Sequence, residues 1–503
     1  MPRRPTSALL AAVLLLALTA TVPPAAVIGA SAPPATSSTG APEGEAPGQV
    51  EGEPGDEAEG RGGEAAEQAT TTQERLDALE AARAGGTFGQ RIAVTGAATP
   101  GWAGERVVNA TTDDWEPAIA ADPNAPWVYL LVTRYGVGKA CQGNCPTPYM
   151  VLERSKDGGA TWTDGVSLCA CKGSGQFDPL VEVVPDTGDV YAAYMNGYNV
   201  VFLKSADHGR SWSDPVPTWG KVSWGDKPTL AVSDDGRDVY IAFNGPQGGD
   251  PWMAQSHDGG NTWAQTKVVR GKRYYFAYDA DVLHDGTVVI SESSITYTAP
   301  GAGPEGVVKL HAFISRDAGA TWDNVVVDTV QTGEPCADCR ADYYIGQTGV
   351  SADDSGRLVF VYDGATTEFG PQRIYVKTST DEGRTWSDRT ALSVNGENAA
   401  QPTVEATRTG DVRLWYMQTA NGDDPDLWNV WYRSSSNGGR TWTAPAKISD
   451  MATGASYKSA DGFGEPYGDY GEIGITNDGA TIAIWGEGPS YVGPGGAWYN
   501  RQV

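Results

Sequence analysis

The chain has 503 residues and carries 63 acidic against 36 basic side chains, which gives a formal net charge of −27 at pH 7. Binding to nucleic acid or to an anionic membrane surface needs a positive field, so this charge argues against both as partners. The charge says little about the fold, which has to be inferred from the pattern of residues along the chain.

Residues 1–32 are typical of a secretory signal peptide. Two arginines precede an apolar run that is too short to span a membrane and is followed by prolines and small residues. We therefore expect secretion, with no membrane span after cleavage. Residues 33–73 are rich in Gly, Pro and Glu, and they predict a disordered acidic leader because they offer little to bury. Residues 74–90 predict a short helix or a linker, since apolar residues recur there at helical spacing.

An octapeptide pattern close to Ser-x-Asp-x-Gly-x-Thr-Trp occurs six times, and we call its copies the boxes. They begin at Ser155, Ser205, Ser256, Ser315, Ser379 and Ser435. The Asp carboxylate of a box can accept backbone N–H groups in a tight turn, the Gly can adopt positive φ, and the Trp can bury a large apolar face. Asn437 replaces the Asp of the last box and keeps the acceptor oxygen. A structural turn is therefore favoured, with ligand binding as the alternative.

A second unit precedes each box and consists of an apolar stretch, a turn with Asp or Gly, and an alternation of Val-Tyr type. The units begin near Glu116, Asp178, Asp226, Tyr278, Ile345, Gln401 and Tyr470. Period-two alternation bounded by such turns indicates β-hairpins. Seven units predict an all-β propeller of seven blades over residues 91–503, with six blades as the alternative. The last unit lacks a fourth strand, and the segment RIAVTG from Arg91 is predicted to fill that place and close the ring.

The cysteines are expected to form disulfides, because the chain is expected to be exported. They are Cys141, Cys145, Cys169, Cys171, Cys336 and Cys339. The first two pairs flank the first box and are near enough in a blade to bridge, and Cys336 would then pair with Cys339. A zinc site made by the first four thiolates is the alternative.

The boxes and units resemble the sialidase superfamily of Asp-box (BNR-repeat) propellers from about Asp113 to the C-terminus. The segment DYGEIGITNDG resembles that family's nucleophile segment, with Asp-Gly eight and nine positions after Tyr470. The resemblance implies an exo-glycosidase in which Tyr470 is the nucleophile. The arginines that grip a sialic acid carboxylate do not carry over, and Glu116 stands where the family has the first of them. Gln401 likewise stands where the family has a glutamate.

Acidic and aromatic side chains stand at the heads of the units, which a propeller would bring together near its axis. Such a set suits a neutral or amino sugar, because rings can stack, carboxylates can bind hydroxyls, and a carboxyl pair can act as acid and base. The predicted catalytic residues are Tyr470, Asp469, Asp178 and Asp226, and the predicted substrate-binding residues are Glu116, Asp279, Tyr344 and Gln401. In the alternative interpretation, the acids cap strand starts or hold a structural calcium ion. No other cofactor or metal is predicted.

The sequence thus predicts a secreted, monomeric, sialidase-like propeller that acts on an extracellular glycan or glycoconjugate. The alternative is a non-catalytic propeller that binds a glycan or a protein, which the missing arginines favour. The four histidines show no metal-ligand spacing, so surface or packing roles are expected for them.

Overall fold

The computed structural model describes residues 72–86, 98–136, 139–141, 145–163, 165–168, 175–222, 225–246, 249–269, 273–296, 306–333, 346–394, 397–419, 428–449, 471–487 and 494–503. One helix, α1, covers residues 72–84. Among the described residues no helix combines the length and the apolar character that crossing a membrane requires. The predicted signal peptide and nearly all of the predicted leader lie outside the described residues.

The strands form seven four-stranded antiparallel sheets, which are the blades. The first strand, β1 (Arg106–Val107), belongs to the last blade. Blade 1 contains β2 (Asp113–Ala121), β3 (Val128–Tyr135), β4 (Tyr149–Ser155) and β5 (Val166–Ser167). Blade 2 contains β6 (Gln176–Val183), β7 (Val190–Asn196), β8 (Val200–Ser205) and β9 (Val216–Pro217). Blade 3 contains β10 (Asp226–Val232), β11 (Val239–Asn244), β12 (Pro251–Ser256) and β13 (Ala264–Lys267).

The remaining blades repeat the same order of strands. Blade 4 contains β14 (Tyr274–Val282), β15 (Val288–Ile295), β16 (Val307–Ser315) and β17 (Asp323–Gln331). Blade 5 contains β18 (Thr348–Ala352), β19 (Leu358–Gly364), β20 (Arg373–Ser379) and β21 (Thr390–Ala391). Blade 6 contains β22 (Ala399–Ala406), β23 (Val412–Thr419), β24 (Trp428–Ser435) and β25 (Ala446–Lys447). Blade 7 contains β26 (Glu472–Ile475), β27 (Thr481–Glu487), β28 (Gly496–Arg501) and β1.

The ring is closed by strands from both ends of the propeller. In blade 7 the order is β1-β28-β27-β26, with Arg106 opposite Tyr499. Each innermost strand lies beside those of its two neighbours, and β2 of blade 1 lies beside β26 of blade 7. These observations confirm the predicted seven-bladed propeller closed by an N-terminal strand. The prediction that this strand begins at Arg91 is wrong, since the place is filled by Arg106–Val107.

The hydrophobic core is divided into clusters that each lie between two neighbouring blades. Between blades 6 and 7, for example, Trp415 and Trp485 are fully buried, with ring centroids 6.3 Å apart. The second strand of a blade is covered on both faces, which explains the nearly continuous apolar run of β3, VYLLVTRY. Burial between blades therefore stabilises the ring as a whole.

The boxes form tight turns after the third strand of blades 1 to 6. In blade 2, Ser205 Oγ accepts the Gly209 N–H at 2.9 Å, and Asp207 Oδ1 accepts the Ser211 N–H at 2.8 Å. The hydrogen bonds from the backbone N–H and the hydroxyl of Ser211 hold the pKa of Asp207 below its ordinary value. Trp212 packs partly buried against the cluster between blades 1 and 2. The observed geometry is that of the favoured structural interpretation.

Cys141 and Cys145 form a disulfide with each other, with Cα atoms 5.9 Å apart. The expectation that these two cysteines bridge toward Cys169 and Cys171 is therefore wrong, because a four-residue separation already lets the first pair close a local loop. The same bond removes two of the four thiolates of the alternative zinc site. The other cysteines lie outside the described residues.

Candidate functional site

The propeller has two distinct ends, which we name by the elements found there. The innermost strands all begin at the start end, and their blades' second strands end there. The boxes follow the third strands and therefore lie at the opposite end, the box end. Residues at the heads of the units thus gather at the start end, on the side of the molecule away from the boxes.

Strained backbone marks the start end of four blades. Four residues other than glycine adopt positive φ there, each directly before a proline: Glu116 (52°), Asp178 (51°), Lys227 (46°) and Gln401 (51°). We call them the strained quartet. The pairing register shifts at each of them, so one extra residue bulges from the innermost strand. Such a conformation costs about 1–3 kcal/mol per residue, and strain of this kind clusters at functional sites.

Hydrogen bonds from the preceding blade hold two members of the quartet in place. Glu116 Oε2 accepts the Asp178 N–H at 3.0 Å and the Thr133 hydroxyl at 2.8 Å, which joins blades 1 and 2. The Gln401 N–H donates to Gln347 Oε1 at 2.9 Å, which joins blades 5 and 6. These bonds satisfy backbone donors that the bulges remove from the sheets, and they fix these two members of the quartet.

A second acceptor supports Gln401. Asp363 Oδ2 lies 3.2 Å from the Gln401 nitrogen, and its Oδ1 accepts the Gln347 N–H at 3.1 Å. Asp363 is completely buried, and this burial raises its pKa to about 8 although backbone N–H groups partly oppose the shift. The support beneath Gln401 is therefore largely uncharged at neutral pH.

An axial cavity of about 410 Å³ extends through the ring, and all seven innermost strands line it. Eight acidic residues line this cavity, and five of them lie on innermost strands: Glu182, Asp279, Asp281, Glu405 and Glu472. We call these five the axial carboxyls. Burial raises the pKa of each, to about 8 for Asp279 and Glu472, and mutual repulsion adds to the effect. Asp279 and Glu472 are thus mostly protonated at neutral pH.

Three of the axial carboxyls bridge neighbouring innermost strands. Asp279 accepts the Val350 N–H at 2.9 Å, and Asp281 accepts the Ala352 N–H at 2.7 Å. Glu472 of blade 7 accepts the N–H of blade 1 residue Ile119 at 2.5 Å. Since these strands face the axis and do not pair with each other, the carboxyls act as struts between blades. In the described part of the chain, no group of His, Cys, Asp or Glu side chains has an arrangement that could hold a metal ion.

The structure places the sequence-predicted site residues at different depths. Glu116, Asp178 and Gln401 belong to the strained quartet, and Asp226 begins β10 directly before Lys227. Asp279 follows the bulge in blade 4 and lies among the axial carboxyls, where it binds the next blade's backbone. Tyr344, Asp469 and Tyr470 lie outside the described residues.

Two arginines near the start end are held by partners within their own blades. Arg134 is buried, and its guanidinium binds Asp114 at 2.6 and 2.9 Å and Glu153 at 2.8 Å. These carboxylates raise the pKa of Arg134 against the opposing effect of burial. Arg273 donates to Ser294 and to the hydroxyl of Thr296. Neither arginine is arranged to grip a ligand carboxylate.

Lys227 in the quartet and Tyr278 at the bulge of blade 4 stand at unit heads but were not among the predicted site residues. The available signal was the recurring residue-plus-proline pair at the unit heads. It could not reveal positive φ, because proline usually pushes the preceding residue toward extended backbone.

Sequence reasoning also missed a histidine network in blade 4. His311 lies 2.8 Å from Ser294 Oγ and 2.7 Å from Asn324 Oδ1, across three adjacent strands. Burial lowers the pKa of His311 to about 4, so the ring is neutral at pH 7. Because Ser294 is completely buried, this network serves packing, as expected for the histidines.

Known proteins are only distantly similar to this chain. No family model matches the chain, and no curated protein matches it. Among solved structures, it is similar to a protein of unknown function from Dyadobacter fermentans DSM 18053, at 15% identity over 80% of this chain and 100% of that one, with a TM-score of 0.45. An ulvan lyase is 14% identical over 80% of this chain and 95% of that one, with a TM-score of 0.45. The Hadza microbial sialidase Hz136 is 14% identical, with a TM-score of 0.40; the match covers 78% of this chain and 65% of the sialidase.

Proposed function

We propose that the chain is a secreted propeller that acts on a glycan at the start end of its axis. The strained quartet carries this proposal. Strained backbone at equivalent positions of four blades brings two carboxyls, an ammonium and an amide to one end of the ring. Groups of this kind bind sugar hydroxyls, and the neighbouring Tyr278 can stack against a sugar ring.

We further propose glycoside hydrolysis in which Tyr470 attacks the anomeric carbon as the bond to the leaving oxygen breaks. Asp469 takes the phenolic proton, and a second carboxyl, Asp178 or Asp226, protonates the leaving oxygen. Water then cleaves the glycosyl-tyrosine bond and releases the sugar. A neutral or amino sugar fits better than sialic acid, because Arg134 and Arg273 are engaged within their own blades.

A panel of chromogenic glycosides that includes a sialoside tests this proposal. We expect turnover of a neutral or amino-sugar glycoside, and a loss of about 100-fold or more in Tyr470→Phe and Asp178→Asn. Asp186→Asn is the matched control, since Asp186 lies in the same blade but is exposed on a turn at the box end. Equal activity of Asp178→Asn and the control would assign the acid role to Asp226, and equal activity of Asp226→Asn as well would contradict the mechanism.

A non-catalytic glycan-binding propeller is the second candidate. It is favoured by the sequence, which lacks the arginines that sialidase-like propellers use to grip a sugar carboxylate and has the buried Glu116 in the place of the first of them. Binding on a glycan array without turnover of any glycoside, weakened by Gln401→Ala, supports this candidate. Absence of both turnover and binding refutes both functions.

A further inference from the structure

Helix α1 is fastened to blade 1 by a buried arginine. Arg75 is completely buried, and its guanidinium carbon lies 3.3 Å from the centroid of the Trp115 ring and 5.1 Å from that of Tyr135. The two rings are 5.9 Å apart and inclined by 39°. A flat cation thus lies against one aromatic face and beside another, where the ring quadrupoles attract it.

A carboxylate completes the surroundings of this cation. Arg75 Nη1 lies 3.6 Å from Asp113 Oδ2, and both side chains are completely buried. The other oxygen of Asp113 accepts the Gly495 N–H at 2.7 Å, and Gly495 directly precedes β28 of blade 7. The contact with Arg75 therefore lies at the junction of blades 1 and 7, where the ring closes.

The helix approaches blade 1 closely because a glycine faces it. Leu79, one turn after Arg75, is also buried. A Cβ atom on Gly136 would lie 2.6 Å from Leu79 Cδ2, and Gly136 has a φ of 78°. Any larger residue at this position would push the helix away, so the site is built on both sides of the contact.

We infer that Trp115, Tyr135 and Asp113 form a guanidinium-binding cage, and that Arg75 is its resident ligand. The cage selects a planar guanidinium over a spherical ammonium, because only the former lies flat on an indole ring while it faces a carboxylate. By holding Arg75, the cage fastens the segment before the propeller to the closing junction. Helix α1 thus stabilises the closed ring.

Chemical rescue of Arg75→Ala in the full chain tests the inference. We expect the melting temperature to fall by several degrees and to recover in part when propylguanidinium is added at millimolar concentration. Propylammonium at the same concentration should have no such effect. Arg83→Ala is the matched control, because Arg83 lies on the same helix but is exposed.

Two further variants keep the test decisive. Leu79→Ala should also lower the melting temperature, but propylguanidinium should not restore it because the cage remains occupied. Should Arg75→Ala give no folded protein, Arg75→Lys keeps the charge and should still melt below the parent. The inference is overturned if Arg75→Ala melts like Arg83→Ala, if both additives rescue it equally, or if Arg75→Lys melts like the parent.

Discussion

Three axial carboxyls bridge neighbouring innermost strands, and Asp279, which is mostly protonated at neutral pH, gives the sharpest test of an uncharged strut. Burial raises its pKa to about 8, and Oδ2 accepts the Val350 N–H at 2.9 Å. An asparagine at this position offers the same carbonyl acceptor and cannot titrate. The substitution Asp279→Asn therefore keeps the strut and removes only the coupling between its proton and folding.

The magnitude follows from proton linkage. The pKa of Asp279 is about 8 in the folded protein and about 3.9 in the unfolded chain, so the folded state keeps a proton that the unfolded state loses. The stability from this proton is fully present below about pH 4 and is lost as the pH rises toward 8, by about 1.4 kcal/mol per pH unit. From about pH 5 to about pH 7, the parent should lose on the order of 3 kcal/mol relative to Asp279→Asn. Screening by water in the cavity reduces this loss of stability, but we expect it to remain at least about 1 kcal/mol.

Urea unfolding at these two pH values, followed by tryptophan fluorescence, measures the difference. The control is Asp186→Asn, an exposed turn residue whose substitution should shift stability equally at both pH values. A difference between the parent and Asp279→Asn that does not change with pH would refute the strut interpretation.

Three further predictions concern groups away from the axis. Ser435→Ala should lower the free energy of unfolding by about 1–3 kcal/mol in urea titrations, because it leaves a buried glycine N–H of its box without an acceptor, whereas the exposed neighbour Ser436→Ala should have little effect. Arg134→Met should cost about 3–5 kcal/mol in the same assay, since it leaves two buried acids uncompensated, and the exposed Arg440→Met should cost much less. The NMR signals of His311 should titrate near pH 4, and a midpoint near 6.5 would contradict its burial.

The fold could be read from the sequence because its signals are local. A box such as the one from Ser205 contains every donor and acceptor of its own turn, so its geometry does not depend on distant residues. The alternation of apolar residues likewise follows from the two faces of each strand. The closing strand could not be located, since Arg106–Val107 is too short to produce a pattern.

The candidate site was less predictable because it depends on contacts between blades. The positive φ of Asp178 is held by Glu116 of another blade, and no local pattern encodes that hydrogen bond. The docking of Arg75 between Trp115 and Tyr135 also joins residues that are distant along the chain. The acidic residues at the unit heads were recognisable from the sequence. Which of them lie at the start end and which line the axial cavity depends on the bulges, which the sequence does not show.

The box carboxyls and the axial carboxyls together should set the pH of greatest stability. Hydrogen bonds lower the pKa of the box residues Asp258 and Asp381 to about 2, so their contribution is present above about pH 4 and is lost as the pH falls through 2. The axial carboxyls behave oppositely, and their contribution is lost as the pH rises toward 8. As the pH rises, the stability lost through several axial carboxyls should exceed the stability gained through the one buried histidine, His311. We therefore expect the melting temperature to be highest near about pH 5. A maximum above about pH 7 would mean that the axial carboxyls are ionised in the folded ring.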